Sequence, residues 1–71
     1  MYRIFMTNFE FYIDAEYTGF DSTLSKARSM SFDCQITLNG ETVASCGTIS
    51  GLRFYDQAHR SAYYAKNRLF A

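Results

Sequence analysis

The chain lacks most of what usually announces an activity. One histidine, and two cysteines twelve positions apart, supply neither a Cys-x-x-Cys redox spacing nor the four ligands of a zinc site. No metal or other cofactor is therefore expected. The four glycines match no phosphate-cradling loop, and no serine stands in a Gly-x-Ser-x-Gly elbow, so enzymatic activity is not expected either. Charge of one sign is also missing: seven basic and seven acidic residues cancel. That balance argues against a general polyanion binder with a broad basic field, and against a disordered tail. No apolar run approaches the ~18–20 residues that cross a bilayer, and Met1–Met6 lacks the apolar stretch of a signal peptide. A soluble, intracellular protein without membrane contact is the expectation.

What is present is aromatic. Tryptophan and proline are absent, yet seven Phe and six Tyr make up 18% of the 71 residues. A chain this short forms one domain, residues 1–71, and buries only ~60% of the surface its unfolded form exposes. Aromatic side chains bury roughly 150–250 Å² each, so a phenylalanine-loaded core could fold without a disulfide or metal staple. No repeat, linker or low-complexity segment divides the chain.

Tyr2 to Tyr17 reads as extended structure, with Phe9, Phe11, Ile13, Ala15 and Tyr17 alternating against Glu10, Tyr12, Asp14 and Glu16. The odd positions form the core face; Phe9 and Phe11, with Phe32 from the next strand, are the expected core rings. Thr7-Asn8 either breaks this stretch into two strands or marks a bulge. A continuous strand leaves Tyr2, Ile4, Met6 and Tyr12 outward with the acids; a separate N-terminal strand buries them differently.

Asp21 and Ser22 are N-cap candidates for a short helix carrying Leu24, Ala27 and Met30 on one side. Phe32, Cys34, Ile36 and Leu38 then alternate with polar residues, and Asn39-Gly40 signals a hairpin into Glu41–Thr48. A two-residue turn sets Ile36 opposite Val43 and Cys34 opposite Ser45, so the thiols point to opposite faces; a three-residue loop would set Cys34 opposite Cys46. The first register keeps Ile36 and Val43 on one face and is the one expected. Both thiols are expected free, as small buried hydrophobes. Ser50 or Asp56 caps a last helix running to about Leu69, whose stripe of Tyr55, Ala58, Ala62, Ala65 and Leu69 lies against the sheet. The fold class that follows is α+β: a small antiparallel sheet of three strands, or four if the first stretch breaks, with two helices on one face in the order β-α-β-β-α.

Three surfaces carry the functional expectations. Glu10, Asp14 and Glu16 share one face of the first long strand at about 6.6–6.8 Å per two residues, close to the phosphate spacing of a nucleic-acid strand, with Asp21 shortly beyond. Such an acidic edge suits a basic groove on a partner, with Tyr12 and Tyr64 as anchors. Arg53, Arg60, Lys66 and Arg68 with Tyr64 give the last helix a basic, aromatic-interleaved side, the alternative nucleic-acid-binding surface. Residues 1–35 hold five acids against three bases, and residues 36–71 two acids against four bases, a polarity that suits a protein partner with complementary patches. His59, the only histidine, reads as a helix-surface residue beside Tyr63.

The segment Phe32 to Gly47 followed by the alanine-striped helix resembles the strand-turn-strand-helix half of a double-stranded RNA-binding domain. That resemblance implies RNA binding, although Arg53-Phe54-Tyr55-Asp56-Gln57 stands where the family has a lysine cluster. The whole chain, tiny, neutral and without a catalytic signature, looks like the small accessory proteins of phages and mobile elements, anti-CRISPR inhibitors among them. That likeness implies a non-enzymatic protein in the cytoplasm of a bacterial host. Its role would be to bind a host nucleic-acid-handling protein or ribonucleoprotein complex stoichiometrically, evading host defence by blocking the complex's groove or a required movement.

Overall fold

The computed structural model describes residues 1–47 and 51–67. The elements are β1 (Tyr2–Met6), β2 (Phe11–Tyr12), α1 (Phe20–Ser29), β3 (Cys34–Leu38), β4 (Glu41–Cys46), β5 (Arg53–Phe54) and α2 (Gln57–Lys66). The strands form one antiparallel sheet in the spatial order β2-β1-β3-β4-β5. The α+β class and the two helices agree with the sequence reading. The strand count and order do not: among the described residues there are five strands, in the order β-β-α-β-β-β-α.

The first extended stretch is a hairpin, and its turn explains the largest difference. The amides of Phe9 and Glu10 both donate to the Met6 carbonyl, and Glu10 adopts φ 57°, the left-handed conformation that turns the chain back. Beyond β2, the Ala15 amide donates to the Ile13 carbonyl, a tight local turn that ends any extended run. Alternation therefore restarts after Met6. In β1 the even residues face inward, with Ile4 and Met6 in the core, contrary to the odd-face expectation. Phe9, Phe11 and Phe32, expected in that core, are 54%, 51% and 48% exposed. Phe11 pairs with Met6 on the edge strand, beyond the β1 and β3 ground on which α1 packs.

α1 lays Thr23, Leu24 and Ala27 onto the sheet. Its N-cap is Gly19 without a side-chain cap, rather than Asp21 or Ser22. The Thr23 hydroxyl donates to the Gly19 carbonyl at 2.7 Å, which satisfies a fully buried polar group.

The β3–β4 turn has φ 52° at Asn39 and 90° at Gly40, the positive pair that a two-residue hairpin turn needs. Leu38 pairs with Glu41 and Thr37 with Thr42, but a bulge then moves Ile36 opposite Ala44 and Cys34 opposite Cys46. The extra residue lets the consecutive Val43 and Ala44 both enter the core, which strict alternation forbids. It also overturns the expected thiol geometry, because directly opposed residues share a face: Cys34 and Cys46 are both buried, and both are free.

Both described helices cover the same sheet face. α2 buries no residue; its expected stripe is exposed at Ala58, Ala62 and Ala65. His59 and Tyr63, one turn apart, face the sheet instead, against Tyr2 and Phe54. Two rings remove far more apolar area from water than three methyl groups, which settles the rotation of the helix. Asp56 caps it by accepting from the His59 amide at 3.0 Å. The expected end near Leu69 lies outside the described residues.

Candidate functional site

The inner end of the sheet carries a side-chain relay that spans 57 positions of sequence. The Tyr2 hydroxyl lies 2.6 Å from His59 Nε2, and His59 Nδ1 lies 2.5 Å from Asp56 Oδ2. With the carboxylate accepting from Nδ1–H, the tautomer that fits both contacts leaves Nε2 to accept from the phenol. The hydrogen bonds from His59 hold the Asp56 carboxyl below its ordinary value. Burial, then the Asp56 charge, pushes the Tyr2 phenol up, so Tyr2 stays a neutral donor. The relay borders a cleft of about 600 Å³ between α1 and α2 whose walls include Phe20, Tyr63 and Lys66. It fastens a helix that has no buried residue of its own. His59 is thus a partly buried tertiary anchor and not the surface histidine expected. Nothing local in sequence could have linked it to Tyr2.

The sequence-expected acids do not form a row. Glu10 sits in the β1–β2 turn, Asp14 and Glu16 lie between β2 and α1, and Asp21 is in the first turn of α1. The strand that would have spaced them ends at Tyr12. Glu10, Asp14 and Glu16 are exposed, while Asp21 is tied to Lys66 Nζ at 2.5 Å. The basic set is dispersed as well. Arg53 stands on β5, Arg60 lies over Tyr64 with its guanidinium carbon 5.4 Å from the ring centre, Lys66 is the partner of Asp21, and Arg68 lies outside the described residues. Tyr12 and Tyr64 are outward as expected, 38% and 52% exposed; Tyr2 is not, packing edge-on to Phe20 and His59.

Two surfaces emerge instead. The first is a phenylalanine cluster at the end of the sheet: Phe9 lies 5.5 Å from Phe32 and 6.1 Å from Phe11 between ring centres. Glu10 separates two of these rings and Asp33 follows the third. On the far side, Phe32 and Arg28 line a hollow of about 300 Å³. Ser31, at φ 58° just past the C-cap of α1, turns the chain that delivers Phe32. The second is the sheet face opposite the helices. Arg3 and Phe5 of β1 meet Tyr12 of β2 there, the Arg3 guanidinium 4.4 Å from the Tyr12 ring centre and the Phe5 ring 5.1 Å from it. Across the sheet stand Gln35 and Thr42, joined at 3.3 Å, and Ser45 and Tyr55, also joined at 3.3 Å. Arg53, opposite Ser45, completes this face.

Both thiols are pushed away from the reactive thiolate form. Burial foremost, with Cys46 and Asp33 adding to it, pushes Cys34 up to about 11. Burial also raises Cys46, with Arg28 opposing it. Among the described residues no three His, Cys, Asp or Glu side chains gather as metal ligands. None of the described helices is long and apolar enough to cross a membrane. Compared with known protein families, characterised proteins and solved structures, the chain has no match.

Proposed function

We propose that the protein acts without catalysis, by binding stoichiometrically to a bacterial nucleic-acid-handling protein complex and blocking its groove or a required movement, as the small phage-borne inhibitors it resembles do. The observation that carries this reading is the phenylalanine cluster. Three half-exposed phenylalanines present on the order of 300 Å² of apolar surface, the size of the largest patch on a typical monomer and of the kind that marks an interface. Its burial is worth roughly 7 kcal/mol before the losses of association. An edge-to-face contact of Phe9 with Phe32 and a tilted one with Phe11 hold the patch in shape, so little side-chain freedom is left to lose on docking. Glu10 and Asp33 at its border, against Arg28 beside Phe32, favour an apolar pocket flanked by basic residues, the surface that a protein handling nucleic acid already has.

Affinity capture from a bacterial lysate tests the reading. Wild-type protein is expected to retain a nucleic-acid-handling complex, to form a defined-ratio assembly with it when purified, and to lower its activity on nucleic acid. The Phe9→Ser/Phe32→Ser variant, altered only at exposed rings, should keep its far-UV circular dichroism and lose capture. Equal capture by the variant, or a captured complex whose activity is unaffected, would sink the proposal.

A further inference from the structure

The sheet face opposite the helices raises a question that protein docking leaves unanswered. A half-buried antiparallel sheet ordinarily turns polar residues to water, whereas this one turns three aromatic rings and two guanidinium groups outward. Tyr12 is 38% and Tyr55 60% exposed, one at each edge of the sheet, with Phe5 beside Tyr12. The Arg3 guanidinium carbon lies over the Tyr12 ring, 4.4 Å from its centre. Its Nε is buried without a hydrogen-bond partner, so the cation–π contact, rather than a hydrogen bond, holds it. Neither Arg3 nor Arg53 has an ion-pair partner among the described residues.

Charge and dimension then narrow the occupant. The strands place two arginines and no carboxylate on this face; Glu16 borders a hollow with Arg3 at one end, and Asp33 borders one with Arg53 and Tyr55 at the other. From β2 to β5 are four interstrand steps, about 19 Å at about 4.8 Å each. That is the length of about three nucleotides at the 6–7 Å phosphate spacing of an extended strand. Between the aromatic edges run the half-buried Gln35, Thr42 and Ser45, neutral donors and acceptors spaced across the central strands. The hollow of about 190 Å³ bounded by Gln35, Ser45, Arg53 and Tyr55 adds a recess at one end.

We propose that this open face binds single-stranded RNA, about three nucleotides laid across the strands. Bases stack on Tyr55 and on the side of Tyr12 that Arg3 does not cover, phosphates meet Arg3 and Arg53, and 2′-hydroxyls meet Gln35, Thr42 and Ser45. Stacking supplies affinity without demanding sequence. The 2′-hydroxyl, both donor and acceptor, is what a row of neutral polar side chains distinguishes from deoxyribose. A duplex cannot offer its bases to a flat sheet, so the face selects single strands. The proposal is independent of the phenylalanine cluster, which lies at the end of the sheet.

Fluorescence anisotropy with a labelled mixed-sequence RNA octamer, its DNA counterpart and the RNA duplex tests it. Two phosphate contacts give a slope of log K against log salt near −1.4 for a single strand. Tyr12→Ala and Tyr55→Ala, both at exposed positions, should each weaken RNA binding about 5-fold to 150-fold, and Arg53→Glu should bring the slope to about −0.7 or shallower. Lys26→Ala, on the helical side, should leave affinity within about twofold of wild type, and Phe9→Ser/Phe32→Ser should do likewise. No binding of RNA at low salt, equal binding of DNA, preference for duplex, or equal losses from Lys26→Ala and Arg53→Glu would each overturn the proposal. Loss of capture by the phenylalanine variant with RNA binding intact separates this surface from the docking one.

Discussion

Replacing Tyr2 by Phe removes one oxygen atom and tests how α2 is held. The ring should stay where it is, because its contacts with Phe20 at 5.9 Å and His59 at 5.6 Å between ring centres do not involve the hydroxyl. What is lost is the 2.6 Å hydrogen bond to His59 Nε2. The histidine side chain is only 17% exposed, so water replaces the phenol poorly. A net hydrogen bond is worth ~0.5–1.5 kcal/mol, and a buried group left unsatisfied adds to the loss, giving about 1–2 kcal/mol here. In a chain of 60–100 residues each kcal/mol moves Tm by about 4–8 °C, so a fall of about 5–15 °C is expected. Circular dichroism melts and urea titrations measure it, with an unchanged m-value showing that the folded state is as compact as before. Combining Tyr2→Phe with His59→Phe isolates the pair: a coupling energy above about 0.5 kcal/mol is expected. A Tm within about 1 °C of wild type, or strict additivity in the cycle, would refute the relay as the anchor of α2.

Two further predictions concern titration. Asp56 is held below its ordinary 3.8 by the hydrogen bonds from His59, so its contribution is complete above that pH and is lost as pH falls through the lower folded value. Asp56→Asn should therefore lose stability at pH 5–7, and its deficit relative to wild type should shrink in urea melts below about pH 4; a constant deficit would contradict this. Cys34 is raised from 9.0 to about 11 in the fold, so the folded state keeps a proton that the unfolded chain releases. Stability should fall as pH climbs from 9 toward 11, and Cys34→Ala should flatten that limb. The native protein should also react slowly with a thiol reagent and yield two sulfhydryls on unfolding; rapid reaction, or no free thiol at all, would count against the buried, free pair.

Strong local signals carried the sequence reading where they existed. Asn39-Gly40 forced a two-residue turn, Asp56 capped its helix, and Leu24 and Ala27 faced the core, all because each depends on residues within one turn of one another. The phase of the first strand failed for a physical reason. Period-2 alternation is regular after Glu10 and nearly silent before Thr7, where Tyr2, Ile4, Phe5 and Met6 are all apolar or aromatic; the turn resets which parity faces in, and only pairing with Ile36 and Cys34 decides it. Arg3, flanked by Tyr2 and Ile4, was the one local hint that odd positions of that strand are wet. The bulge at Val43 was hidden in the same way, since it answers to the burial of two consecutive residues and not to the turn. β5, two residues long, has no periodicity to read. For α2, three alanines at helical spacing gave a clean pattern, yet ring area outweighed it. The candidate surfaces lie where the turns break the alternation: Phe9, Phe11 and Phe32, inward by sequence pattern, form the exposed cluster, and Glu10, Asp14 and Glu16 fall in turns and loops rather than along one strand.

Amide hydrogen exchange on the protein alone and bound to its captured protein partner tests docking most directly. Protection gained at residues 7–12 and 31–33, where Phe9, Phe11 and Phe32 meet, with little change across α2, is the expected result. Protection confined to α2, or to the acidic stretch at 13–21, with residues 7–12 and 31–33 unchanged, would contradict docking through the phenylalanine cluster.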